Sequence, residues 1–125
     1  MMLGYLLARA GVDVLVLEKH ADFLRDFRGD TIHPSTLELM HELDALDDFL
    51  KLPHQEVRQL SAQVAGQTVP VADFKHLPTR CRFVAIMPQW DFLNFLAIRA
   101  AALYPAFRLW MRRWAAACPA RRCTR

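Results

Sequence analysis

The apolar positions near the N-terminus predict a helix, a glycine turn and a strand. Residues 1–10 are expected to form the helix, ended by Gly11. Its buried face is predicted to carry four apolar residues at helical spacing: Leu3, Leu6, Leu7 and Ala10. Residues 12–17 are a β-branched and leucine run, typical of a parallel strand covered on both faces. Together these segments predict the second half of a βαβ unit, whose other strand would precede the helix.

The next segments predict a loop followed by a long helix. Residues 20–26 fit a turn or short helix, and residues 27–33 fit a loop. Pro34 suits the first turn of a helix, and Ser35 with Glu38 has capping-box spacing. An apolar stripe continues this helix towards Pro53, formed by Leu39, Leu43, Leu46 and Phe49. The intervening acids are predicted to face water: Glu42, Asp44, Asp47 and Asp48.

The second half of the chain predicts a hairpin, a strand, a helix and a last strand. Residues 57–64 and 68–74 alternate with period two around a glycine, which favours an antiparallel hairpin. Residues 83–87 fit a short strand, and Pro88-Gln89 opens a helix to about Tyr104. The inner face of that helix is predicted to carry Phe92, Phe95, Leu96 and Leu103. Residues 107–111 fit a further strand.

Composition indicates one small α/β domain. The chain has 125 residues, of which 54% are hydrophobic and 23% charged, and these values argue against disorder. No uninterrupted apolar run is long enough to predict a membrane span. The three cysteines are odd in number and form no CxxC pair, which predicts a reducing, cytoplasmic location without disulfides or zinc.

The balance of basic and acidic residues changes near Phe107. Residues 1–107 contain ten basic and thirteen acidic side chains, whereas residues 108–125 contain six arginines and no acid. We therefore expect a folded domain over residues 1–107 and a basic tail over residues 108–125 that is irregular or out of frame. A nucleic-acid contact by this tail is the alternative, although six arginines without a folded motif are a weak signal.

Three polar residues stand at the positions where a nucleotide would be held. Glu18 follows the predicted buried strand, where a carboxylate can accept both ribose hydroxyl groups or merely cap a turn. Arg28 lies in a glycine-containing loop, where it can bind a pyrophosphate or pair with a nearby aspartate. Gln89 begins a helix, and its amide suits sugar hydroxyls or an ordinary N-terminal position.

The order of these segments resembles the N-terminal FAD-binding region of the flavin-dependent aromatic-ring monooxygenases, the p-hydroxybenzoate hydroxylase-like group. Residues 1–19 are similar to the helix and second strand that follow that family's GxGxxG fingerprint. Residues 27–30 with 37–40 resemble its arginine loop and next helix, and residues 87–93 resemble its glutamine segment. The similarity covers roughly residues 1–107.

The resemblance implies a partial doubly wound, Rossmann-like FAD-binding domain with a β-hairpin insertion. It implies FAD as cofactor, NAD(P)H as reductant and O2-dependent oxygenation of a small aromatic substrate. The residues that it assigns to the cofactor are Glu18, Lys19, Arg28 and Gln89. It assigns no catalytic residue, and the five histidines have no metal-binding spacing. The alternative is a non-catalytic remnant or interaction module.

The chain departs from that family in its glycines. The four glycines of the sequence include no GxGxxG motif, and the preceding strand is missing. This predicts a truncated or frame-shifted reading frame, which a GxGxxG codon run upstream of Met1 would support. We therefore expect the chain alone to bind FAD weakly or not at all, and to be inactive.

Overall fold

The computed structural model describes residues 1–24 and 29–111. The elements in chain order are α1 (Met2–Arg9), β1 (Val14–Glu18), β2 (Thr31–Ile32), α2 (Pro34–Glu42), α3 (Leu46–Phe49), β3 (Gln55–Val57), β4 (Gln59–Val64), β5 (Gln67–Asp73), β6 (Val84–Ile86), α4 (Gln89–Leu103) and β7 (Phe107–Met111). The described residues form two compact units, one of residues 1–24 with 96–111 and one of residues 29–95.

The first unit is built on a parallel strand pair. β1 pairs with β7 in the register Val14↔Phe107 to Glu18↔Met111. The predicted strands at residues 12–17 and 107–111 are confirmed, with β1 shifted by one or two residues. The partner of β1 within the described residues is thus a strand from the far end of the chain. Residues 108–111 belong to β7, whereas residues 112–125 lie outside the described residues, so the irregular tail stays a prediction.

Helix α1 packs on this sheet through its small residues, which corrects the predicted face. Its buried residues are Gly4, Tyr5 and Ala8, whereas Leu3 is 69% exposed. A Cβ atom added to Gly4 would lie 2.6 Å from Val16 Cγ2, so the helix backbone lies directly against the strand. The buried face of α1 is therefore the one that can approach the strand most closely, and not the one with the largest apolar side chains. Gly11 ends the turn after α1 with φ +81°, as predicted.

The opposite face of the β1–β7 pair is exposed, contrary to the prediction of a strand covered on both faces. Leu15 and Leu17 point to this face, and so does Trp110, which is paired with Leu17. Parallel sheets normally bury both faces. Three large apolar side chains therefore face away from the packed side of the first unit.

The second unit contains a broken helix in place of the long predicted one. α2 begins at Pro34 as predicted, but it ends at Glu42, and α3 starts at Leu46. Asp44 between them adopts φ +52°, a conformation that ends a helix. The predicted capping box is wrong: the N-cap is His33, and Glu38 Oε2 instead accepts a hydrogen bond from Arg80 N. The four predicted solvent-facing acids are exposed.

The second unit also contains a three-stranded antiparallel sheet. Its strand order is β2–β6–β3. β2 falls within residues 27–33, which the pattern predicted as loop, because Thr31 and Ile32 pair with Ile86 and Ala85 of β6. The core of this unit consists mainly of fully buried apolar residues: Leu37, Met40, Leu46, Phe49, Ala85 and Met87.

The predicted hairpin is confirmed as β4 and β5. Its turn residues Ala65 and Gly66 adopt φ values of +50° and +80°, as a tight two-residue hairpin requires. The pair forms a separate two-stranded sheet, with a register shift between Leu60 and Ser61. Four large apolar side chains of this sheet are exposed: Leu60, Val64, Val69 and Val71.

Helix α4 begins at Gln89, as predicted, and ends at Leu103. Its buried residues are Leu96, Ala97 and Ala100, whereas Leu103 is exposed, so the predicted inner face is wrong at its last position. None of the helices in the described residues is both long and apolar enough to cross a membrane.

Candidate functional site

Glu18 is the last residue of β1, where the sequence predicted a strand-end carboxylate. Its Oε1 accepts a hydrogen bond from the backbone N–H of His20 at 3.0 Å, which fixes the start of the following bend. A carboxylate offers about four lone-pair sites, so a turn contact and a ligand contact are compatible at one side chain. The turn-capping contact of Glu18 is therefore observed, and its contact with a ribose stays a prediction.

A pocket of about 340 Å³ lies at the same end of the parallel pair. It is lined by Leu17, Glu18, Lys19 and Trp110. Its volume falls within the range of small-molecule sites, which are mostly apolar with a few polar groups. The carboxyl ends of parallel strands are also where α/β folds bind ligands. The first unit therefore provides one carboxylate and one ammonium group at the edge of an apolar pocket.

In the second unit the structure brings Gly29 and Gln89 together. A Cβ atom added to Gly29 would lie 3.3 Å from Gln89 Nε2, and Gly29 has φ +74°. A side chain at this position would therefore be strained and would press on the glutamine amide. The predicted arginine loop and glutamine segment meet here, although they are far apart in sequence. Arg28 itself lies outside the described residues, so its predicted role is untested.

Asp30 holds this loop against the start of α4. Its Oδ1 accepts a hydrogen bond from Gln89 N at 3.3 Å, and its carbonyl oxygen accepts one from Met87 N at 2.9 Å. Asp30 thereby satisfies a backbone donor at the start of α4, whereas Thr31 lies in β2. No local pattern marks this role, because its two partners are brought together only by the fold.

Replacing Asp30 with alanine is expected to lower the free energy of unfolding by about 1 kcal/mol, since a helix N-terminal donor loses its acceptor. Asp30→Asn, which keeps an acceptor oxygen, is the matched control and should lose less. Urea denaturation of the two variants measures the difference. An Asp30→Ala chain as stable as the unsubstituted protein would show that the Gln89 contact is not formed.

The buried thiol of the second unit has a raised pKa. Burial raises the pKa of Cys81, and the carboxylates of Glu38 and Glu56 raise it further. A thiol with a raised pKa remains protonated at neutral pH and is a poor nucleophile. Across residues 1–24 and 29–111, no cluster of three histidine, cysteine or acidic side chains could hold a metal ion.

Comparisons with known proteins bear on the family and the fold of this chain. Residues 1–113 match a family model described as an FAD binding domain. No curated protein matches the chain. Among solved structures, the chain is similar to the crystal structure of PqsL, a probable FAD-dependent monooxygenase from Pseudomonas aeruginosa, with a TM-score of 0.69 and 17% sequence identity. The similarity covers 88% of this chain and 29% of that protein, so the chain spans less than a third of its length.

Proposed function

Since this chain belongs to the FAD-binding-domain family, we propose that it is the cofactor-binding part of a flavin-dependent monooxygenase. The Rossmann-like fold class expected from the sequence is confirmed by the similarity to PqsL. We also propose NAD(P)H as its reductant, a small aromatic compound as its substrate and the cytoplasm as its location. The observation that carries it is the strand-end carboxylate of Glu18 beside an apolar pocket.

The residues of the first unit fit the adenosine part of FAD. Glu18 would accept hydrogen bonds from the ribose hydroxyl groups, and Lys19 would offer an ammonium to a phosphate oxygen. Both residues line the pocket, and Glu18 is partly accessible at the end of its strand. We therefore assign the adenosine end of the cofactor to this unit.

In the second unit, Gln89 is proposed to hydrogen-bond the sugar-alcohol and phosphate region of FAD, with Arg28 as a phosphate contact. Gln89 is exposed, and its backbone is fixed by Asp30. Gly29 leaves room for the amide, because any Cβ there would be at 3.3 Å from Gln89 Nε2. Thus the loop positions the amide through backbone conformation, while the side chain supplies the donors and acceptor.

When bound, FAD supplies the redox chemistry by which one atom of O2 is added to a substrate. The described residues of this chain bind and orient the cofactor, and none is proposed to perform the oxygen transfer. None of them is proposed to select the substrate.

FAD binding by the chain itself tests the proposal. We expect weak binding, roughly in the millimolar range, because a few hydrogen bonds without a glycine-rich phosphate loop contribute only a few kcal/mol. Titration of ¹⁵N-labelled protein with FAD should shift the backbone resonances of Glu18, Lys19, Gly29 and Gln89. A titration that shifts none of these resonances would contradict the proposal. A yellow protein purified with stoichiometric flavin would contradict the expected weakness.

Replacing Glu18 with alanine is expected to weaken FAD binding about tenfold or more, since charge-assisted hydrogen bonds to the ribose are lost. Glu18→Gln keeps one acceptor and should bind at an intermediate level. Glu42→Ala removes an exposed acid on α2 and is the matched control for net charge. The same NMR titration measures all three variants, and equal affinity of Glu18→Ala and Glu42→Ala would exclude Glu18 from the site.

A further inference from the structure

The hairpin of β4 and β5 has one apolar face and one polar face. Register partners share a face, so Leu60, Ala62 and Val64 of β4 lie on the same side as Val69 and Ala72 of β5. The other side carries polar residues and one proline: Gln59, Ser61, Gln63, Thr68, Pro70 and Asp73. Leu60, Val64 and Val69 are 47%, 60% and 44% exposed. The apolar face is therefore largely uncovered in the described part of the chain.

The hairpin also lacks charge. Residues 59–72 contain no lysine, arginine, aspartate or glutamate. Exposed edge strands of natural proteins usually carry charged residues, lysine above all, which prevent pairing with another strand. An uncharged strand can approach an identical strand without electrostatic repulsion. This composition therefore favours a second copy of the chain as the partner of the hairpin.

The outer edge of β4 presents a complete set of backbone hydrogen-bonding groups. The two-residue turn closes on the register pair Val64↔Gln67, and Arg58 O accepts a hydrogen bond from Phe74 N at 3.1 Å. In an antiparallel ladder every second residue directs its backbone groups to the partner strand, and the residues between them face outwards. The outward-facing residues of β4 are therefore Gln59, Ser61 and Gln63, each of which has an N–H group.

The outer edge of β5 is interrupted by Pro70. Its register partner is Ser61, so Pro70 is one of the residues whose backbone faces away from β4. Proline has no N–H group, and at this place it prevents the addition of a further strand. β4, by contrast, pairs only with β5 among residues 1–24 and 29–111. One edge of the hairpin is thus open to pairing and the other is closed.

We infer that two copies of this chain associate through β4, which pairs antiparallel with itself about a two-fold axis at Ser61. This register places Gln59 opposite Gln63 of the second copy, and Leu60 opposite Ala62 of the second copy. The apolar faces of both hairpins then lie on the same side, whereas a shift by one residue would place an apolar face beside a polar one. The inference goes beyond the proposed function and does not depend on FAD.

The assembly is expected to be a weak dimer. Its product is a four-stranded sheet in the order β5–β4–β4–β5, with Pro70 on both outer edges, so growth stops at two copies. One short strand per copy buries less than the roughly 800 Å² per partner that is typical of stable complexes. We therefore expect a dissociation constant of about 0.1 mM.

Sedimentation equilibrium of the full chain tests the dimer. The weight-average mass should rise from 14.4 kDa towards twice that value as the protein concentration increases from about 10 μM to about 1 mM. Hydrogen exchange of the ¹⁵N-labelled chain locates the contact. The amide groups of Ser61 and Gln63 should become protected as the concentration rises, whereas the amide of Thr68, on the outer edge of β5, should not.

Charged variants make the result specific to this edge. Ser61→Lys should weaken self-association about tenfold or more, because it places two ammonium groups opposite each other at the two-fold axis. Thr68→Lys adds the same charge to the same face of β5 and is the matched control, which should associate like the unsubstituted chain. Ser61→Glu should also weaken self-association, and an equimolar mixture of Ser61→Lys and Ser61→Glu should associate again. The amide spectrum of each variant reports whether it is folded.

Three results would overturn the β4 dimer. The first is a mass that stays at 14.4 kDa up to about 1 mM. The second is self-association that Ser61→Lys and Thr68→Lys weaken equally or not at all, since the contact would then lie on another surface. The third is self-association without protection of the Ser61 and Gln63 amides. None of these results changes the FAD titration, which tests the proposed function separately.

Discussion

Replacing Phe49 with alanine is expected to lower the free energy of unfolding by about 4 kcal/mol, the largest effect of any substitution considered. Phe49 is fully buried, and its ring contacts Phe92 and Phe95 in edge-to-face geometry at centroid distances of 5.7 and 5.6 Å. Alanine would leave a cavity and remove both ring contacts. Domains are stable by only about 5–15 kcal/mol, so a large part of the stability of the second unit would be lost.

Phe49→Leu is the matched control, because it keeps most of the buried volume and should lose far less than Phe49→Ala. Leu60→Ala shortens an exposed apolar side chain of β4 and should change stability little. Urea denaturation followed by circular dichroism measures all three variants. Equal stability of Phe49→Ala and Leu60→Ala would show that Phe49 is not a core residue.

The Phe49 substitution also bears on the cofactor site. Phe92 lies one turn after Gln89 in α4, so the ring contact with Phe49 fixes the start of that helix. We expect Phe49→Ala to broaden or shift the Gln89 amide resonance even where the chain remains folded. A Gln89 resonance identical to that of the unsubstituted chain would show that the core and the loop are independent.

Replacing Gly4 with valine is expected to lower the free energy of unfolding by about 3 kcal/mol, because overpacking displaces α1 from β1. An added Cβ would lie 2.6 Å from Val16 Cγ2 and 3.4 Å from Val14 Cγ1. Val16 is β-branched and has few rotamers with which to avoid the clash. Valine is only slightly better than glycine within a helix, so propensity does not compensate for the strain.

Gly4→Ala separates packing from propensity. Alanine improves helix propensity by about 1 kcal/mol, which offsets part of the overpacking, so its net loss should be smaller than that of valine. Leu3→Ala, one residue earlier on the exposed face, should be nearly neutral. Thermal denaturation and the FAD titration give the readouts, since a displaced β1 would also move Glu18. A Gly4→Val chain with unchanged stability would contradict the observed packing of α1.

Most of the local elements could be predicted from the sequence, because they depend on backbone preferences of single residues. Gly11 and Gly66 supply the positive φ angles of two turns, and Pro34 starts a helix. The positions of Glu18 and Gln89, at the end of a strand and the start of a helix, were also predicted correctly. These placements follow from short patterns and need no knowledge of distant contacts.

The sequence by itself determined where a carboxylate ends a strand and where a glutamine begins a helix. Only the tertiary structure decided that Asp30 caps α4, that α1 packs through Gly4, and that the strand pairs with β7. Periodicity identifies apolar faces but not which face can approach a sheet most closely, and that depends on side-chain size at the contact. Pairing between residues far apart in sequence depends on how the whole chain folds, so no local window contains it.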